Sequence, residues 1–241
     1  MQPLSRVKPN AVTLWGMHDT MAKRPKLAVM IAHCITQWSE VEIHLGALLT
    51  IILHANEKAA MAMYAGVENR AAQLRLIDAA AEASLPTEHY SVISMLLTTI
   101  VRPATKERDR LAHWVWGYTD ELPDALLIAE PEHTLKSLME VLNNQHKSPG
   151  KDVPVNFDKI HVVREGDLIR TLKRFWIAKD NIRLAMGTAW ELNTPTTRAE
   201  LLRQLSNVPE IRAGLIRQAE ARQKTQATPQ PSPPQDQNGG S

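Results

Sequence analysis

The sequence predicts a mainly α protein: a helical bundle of four or five helices with a small β insertion and a disordered C-terminal tail. Three observations carry that expectation. Leu27, Ile31, Cys34, Trp38, Val41, Leu45, Leu48 and Ile52 recur at alternating intervals of four and three, an apolar seam sustained for about four heptads. After residue 113 the period drops to two in "HWVWGY", and short β-like runs follow at 124–129 and 159–163. The end of the chain, "QKTQATPQPSPPQDQNGGS", has too few apolar residues to order itself.

Taken in order, residues 1–23 have no clear period and contain two prolines, so they read as a flexible or loosely docked arm. Residues 24–195 read as the helical domain. Its first helix runs from Lys26 to about His54. Beside the main seam lies a second stripe, Ile35, Ser39, Glu42, Gly46, Leu49 and Leu53, in which Ser39, Glu42 and Gly46 cut a polar notch. A carboxylate next to a core must be paired or open to water. Residues 57–65 suggest a short helix, and 68–84 an alanine-rich one that allows close packing. Thr87 is the expected cap of a helix from 88 to about 102, which Pro103 kinks or interrupts. A polar segment at about 104–112 follows. The flap, about 113–163, is expected to hold two or three strands, with a loop and a short helix between 131 and 158. The helical period returns at 165–190. Residues 196–222 read as a charged, arginine-rich helix, solvated by default, and 223–241 as the disordered tail.

The chain has 241 residues, enough for one sizeable core. Its net charge of +2 sets up no whole-chain field toward nucleic acid or membrane, while leaving room for a local basic patch. A single cysteine, Cys34, rules out an internal disulfide and a cysteine-rich metal site; it reads as a small buried hydrophobe in a reducing compartment. Residues 1–15 lack the apolar core of a secretory signal, and the longest apolar run, 43–55, is too short to span a bilayer. These features predict a soluble cytoplasmic protein with no membrane partner. His33, His44 and His54 lack a carboxylate or close histidine partner, so neither a metal nor a cofactor is expected.

The stretch that carries chemistry is "ERDRLAHWVWGY", residues 107–118. Arg108, Asp109 and His113 form R-D-x-x-x-H at the end of a helix, beside aromatics. Five helical residues turn through about 500°, so Arg108 and His113 leave the helix in different directions. They converge if the helix ends between them, or if two copies of the chain meet across a two-fold axis and line one cleft. An imidazole of near-neutral pKa takes a proton from a ribose 2′-hydroxyl, and a guanidinium holds the phosphate while charge builds on it. Those two acts suffice for RNA cleavage without a metal. A helix C-terminus would also favour the protonated imidazole. The bland alternative is a basic helix end whose His113 caps carbonyls. Trp114 and Trp116 are expected to pack the flap on the bundle.

These residues resemble the "ERN-x-LAH-x-x-WG" signature of the HEPN superfamily (higher eukaryotes and prokaryotes nucleotide-binding domains), and "WSEVEIHLGALL" at 38–49 resembles that family's first helix. The likeness spans about residues 27–190. It implies an α-helical bundle, a homodimer, and metal-independent endoribonuclease activity from R-x4-6-H at the dimer interface, often in a toxin or an effector of phage defence held by a protein antitoxin or inhibitor. Carried over, Arg108 and His113 match the catalytic pair. Asp109 stands where the family most often has Asn, to orient the histidine or bind RNA, and Glu42 and Ser39 match the supporting positions of the first helix. Val115 follows Trp114 where some members carry the tyrosine of H-x-Y, and Tyr118 lies too far along to take that place. Three functions follow: a homodimeric ribonuclease; an inactive helical module that binds RNA, nucleotide or a protein; and a helical interaction protein without a nucleic-acid role.

Overall fold

The computed structural model describes residues 1–16, 19–147 and 156–227. Its organising element is α2 (Pro25–Leu53), and all eight residues of the apolar seam are buried. Pro25 opens this helix, where its missing N–H has no intrahelical partner to lose. His54 closes it in the left-handed conformation, φ 47°, its N–H donating to the Ile51 carbonyl at 3.2 Å. The long helix α8 (Glu165–Ala189) packs along α2, and the Trp38 and Phe175 rings meet edge-on at 5.3 Å. Around this pair sit α3 (Glu57–Gly66), α4 (Arg70–Ser84), α5 (Thr87–Leu96), α6 (Arg102–His113), α9 (Pro195–Ser206) and α10 (Pro209–Ala227). Among the described residues, eight helices therefore feed one core, where four or five were expected. One of the additional helices comes from a chain break: Pro209 splits the region read as a single helix at 196–222 into α9 and α10.

The predicted charged helix is consequently not simply solvated. Leu202, Leu205 and Ile211 are buried in the main core, and Gly214 lets α10 approach α5 so closely that a Cβ there would meet Met95 Sδ at 2.7 Å. The expected tail begins beyond the last described helix; its residues 228–241 lie outside the described residues. Thr87 is the first residue of α5 rather than its cap, that place being held by Pro86.

The flap is larger than predicted. Strands β3 (Val115–Tyr118), β4 (Ala125–Ala129) and β5 (Ile160–Arg164) are joined by β1 (Gln2–Pro3) and β2 (Leu14–Trp15) in an antiparallel sheet of order β1-β5-β4-β3-β2. The N-terminal segment expected to be a loose arm thus supplies both edge strands, together with a short helix, α1 (Leu4–Val7), whose Leu4 is fully buried. Two-residue strands have no period to read; their partners hold them. β4 is buried on both faces by alternation. Leu126 and Ile128 join the helical core, while Ala125, Leu127 and Ala129 pack with Leu4, Ala11, Ile160 and Val162 in a second cluster. The expected loop with a short helix contains α7 (Pro131–Lys147), longer than anticipated, and residues 148–155 lie outside the described residues. Among the described residues, no helix is long and apolar enough to cross a membrane.

Candidate functional site

Pro103 determines how α6 leaves α5. It has no N–H to give, and in an α register its ring would strike the carbonyl of Thr99. The chain avoids the clash with a π-helical turn, Leu97–Val101, in which the Arg102 N–H reaches the Leu97 carbonyl five residues back. The helix is widened there rather than interrupted, interruption being one of the two outcomes expected of Pro103. One added residue rotates α6 by about 100° relative to α5. Hydroxyls of Thr98, Thr99 and Thr105 donate back to Ser94 O, Met95 O and Val101 O at 2.8, 2.7 and 3.0 Å. At the far end, Trp116 Nε1 donates to the Leu111 carbonyl at 3.3 Å, satisfying a helix-end acceptor. Both Trp114 and Trp116 pack against the helical core.

On α6, Arg108 Nη1 lies 2.9 Å from His113 Nε2 within one chain. Neither expected route to convergence applies: the helix continues through His113, and no second copy is needed. The arginine side chain is long enough to run back along the helix surface to the terminal residue. A guanidinium is a donor only, so Nε2 accepts, and in this arrangement that nitrogen carries a lone pair and not a proton. The neighbouring Nη1 contact to Asp109 Oδ1 is 3.3 Å, so Asp109, expected to orient the histidine or bind RNA, touches the arginine and lines the groove. Arg108 is only 20% exposed, and its Nε is buried without a hydrogen-bond partner. His113 is exposed.

These groups open into a groove of about 670 Å³ between α6 and the start of α4. Arg102 and Lys106 line it from α6, Arg70 from α4, and Glu68 opposes them. Among the described residues, neither Arg102 nor Lys106 has an ion-pair partner, so the groove carries excess positive charge. Arg70, by contrast, is fixed. It pairs with Glu42 of α2 and donates to Gln73 Oε1 at 2.8 Å, while Gln73 Nε2 donates to the Tyr64 carbonyl at 3.1 Å. Glu42 also accepts from Trp38 Nε1. Burial pushes the neighbouring Tyr64 hydroxyl up to about 12, so it stays protonated. Glu42 is thus a paired carboxylate at the margin of the core, and it reaches the groove only through Arg70. Ser39 does not reach it: the side chain is exposed and donates to its own helix at Ile35 O, 3.3 Å. Gly46, the third residue of the notch, is where α3 packs, a Cβ there meeting Met61 Sδ at 2.9 Å.

Sequence reasoning missed Arg70, Arg102 and Lys106. Arg102 and Lys106 stand four apart with Arg108 two residues on, a spacing that was available in "RPATKER"; Arg70 carried no signal, because its place depends on how α4 meets α6. No group of three or more metal-ligating side chains occurs among the described residues. No family model, curated protein or solved structure matches this chain.

Proposed function

We propose that the protein is a metal-independent endoribonuclease of HEPN type, with the groove between α4 and α6 as its active site. The single observation that carries the reading is the 2.9 Å approach of Arg108 to His113 at the mouth of a cationic groove. Arg102 and Lys106 hold the flanking phosphates of a single strand by charge. The scissile phosphate replaces His113 as the acceptor of Arg108, which both anchors the substrate and frees the Nε2 lone pair. Nε2 then takes the 2′-hydroxyl proton, the 2′-oxygen attacks phosphorus, and the guanidinium stabilises the charge on the equatorial oxygens. The P–O5′ bond breaks, the 5′-oxygen takes a proton from water, the hydroxide left behind is neutralised by the proton on Nε2, and the products are a 2′,3′-cyclic phosphate and a 5′-hydroxyl.

Homodimerisation belongs to the proposal as the arrangement that sets two grooves side by side, not as the means of uniting the pair. The test is incubation of purified protein with total RNA in EDTA. Cleavage is expected, with loss on His113→Ala and on Arg108→Ala; cleavage unaffected by His113→Ala overturns the assignment. A monomer at micromolar concentration argues against paired grooves. Poor viability on expression, relieved by Arg108→Ala, supports a role as a toxin or defence effector.

A second reading, an inactive module that binds RNA, nucleotide or protein, is favoured by one observation: Arg108 occupies the nitrogen that would act as base. RNA binding without cleavage, lost on charge reversal at Arg102 and Lys106, distinguishes it.

A further inference from the structure

On the opposite side of α6 is a second pocket that the groove chemistry does not use. Glu107, Arg110 and Trp114 follow one another at helical spacing and share a face, whereas Arg108 lies about 200° round the helix from Arg110. Facing them, α8 presents Arg170 and Arg174 one turn apart, and the two helices enclose about 220 Å³ with His161 of β5. We propose that this pocket binds a phosphate monoester through Arg110, Arg170 and Arg174.

The three guanidiniums are held in place by two carboxylates that are nearly buried. Glu107, 14% exposed, accepts from Arg174 at 2.7 Å and lies 3.7 Å from Arg110. Asp167, 10% exposed, accepts from Arg170 at 2.5 Å. Its charge is shared, because the Met1 nitrogen donates to it at 2.6 Å and the Arg164 N–H at 3.0 Å. Three cations against two divided carboxylates leave the pocket net positive even without the amino group. Each guanidinium has five N–H donors, most of them unused by these contacts. The Arg110 guanidinium carbon stands over the Trp114 ring, 5.4 Å from its centroid, a cation–π contact that restrains the fork. The field is felt at His161, whose imidazole is held below its ordinary value by burial and then by Arg110 and the amino group. The volume equals about seven waters, room for a phosphate group and the first atoms of the alcohol it esterifies. Three planar guanidinium forks lining one pocket suit a tetrahedral dianion, whose oxygens can accept from several of them.

Calorimetric titration of the full chain tests the assignment, using inorganic phosphate, a nucleoside 5′-monophosphate and the unphosphorylated nucleoside. Saturable binding of both phosphates and none of the nucleoside is expected; equal binding of the nucleoside, or no saturation by about 10 mM phosphate, overturns it. The two arms separate the free anion from a nucleotide by which binds more tightly. Arg170 and Arg174 are more than half exposed, so their replacement leaves the core intact. The double variant R170A/R174A is expected to weaken binding at least about tenfold, and Arg174→Lys by less, because it keeps the charge but loses the fork. Unchanged affinity in the double variant overturns the proposal. Loss of phosphate binding in R102A/K106A together with none in R170A/R174A places the anion in the groove and overturns the second site, whatever the RNA assay gives.

Discussion

Replacing Glu42 tests whether the polar notch of α2 is structural. Glu42→Ala removes two interactions at once. Trp38, 2% exposed, loses the acceptor of its indole N–H, and an orphaned buried donor costs about 1–3 kcal/mol. Arg70 loses its ion pair; with side chains 30% and 23% exposed, that pair is worth up to about 1 kcal/mol after screening. The sum, about 1–4 kcal/mol, corresponds to a fall of roughly 3–12 °C in Tm for a folded unit of this size. Glu42→Gln keeps an oxygen for Trp38 and gives up only the charge, so it is expected to lose about 1 kcal/mol, or about 3 °C. Differential scanning calorimetry of the three proteins at low salt reads both values. The reasoning is refuted if the alanine variant unfolds within about 1 °C of the parent, or if the two variants lose the same amount. Either result would mean that the Trp38 N–H is not served by this carboxylate.

Three further outcomes are expected. Burial pushes the Cys34 thiol up to about 11, so iodoacetamide at about pH 8 should leave it unmodified in the native protein and alkylate it once the chain is unfolded, read by mass spectrometry; rapid native labelling contradicts the placement. His161 is held below the usual imidazole range by burial, then by Arg110, and His89 by burial, then by Arg198 against Glu88. A depressed folded value gives stability that is present above about pH 6.5 and lost as pH falls through the folded value, so Tm should drop on acidification below neutral, and His89→Gln with His161→Gln should flatten that drop; an equally steep drop in the double variant contradicts it. At Gly117, a Cβ would meet the Leu14 carbonyl at 2.6 Å and the Trp15 ring at 2.7 Å, so Gly117→Ala should cost about 1–3 kcal/mol and speed hydrogen exchange at residues 14–16 while sparing β5. Unaltered exchange there contradicts the pairing of β2 with β3.

The sequence made α2 legible almost residue by residue, because a long helix buried on several sides repeats its signal every turn. The core strands β3, β4 and β5 were legible from alternation and from β-branched and aliphatic runs. The edge strands were not, since Gln2–Pro3 and Leu14–Trp15 are too short for any pattern and exist only through their partners. The helix α7 was obscured by its exposed Leu135, Leu138 and Leu142, which carry a helical stripe but lie beside proline and glycine punctuation. Arg108 and His113 were legible as a pair, yet their meeting was expected to need a helix end between them or a second chain. The reach of one arginine side chain made both unnecessary. Ser39 shared the stripe of Glu42 in sequence but is exposed on α2 and away from the groove, a difference that only the packing of α4 on α2 reveals.

The central claim, that His113 and Arg108 act together on a ribose-linked phosphate, is tested most directly by the single-turnover cleavage rate of a defined RNA in EDTA, compared between the parent and His113→Ala. The account predicts cleavage by the parent, loss of at least about a hundredfold in the variant, and no cleavage of the same oligonucleotide lacking its 2′-hydroxyls. Equal rates in the two proteins, or cleavage of the 2′-deoxy strand, would contradict it.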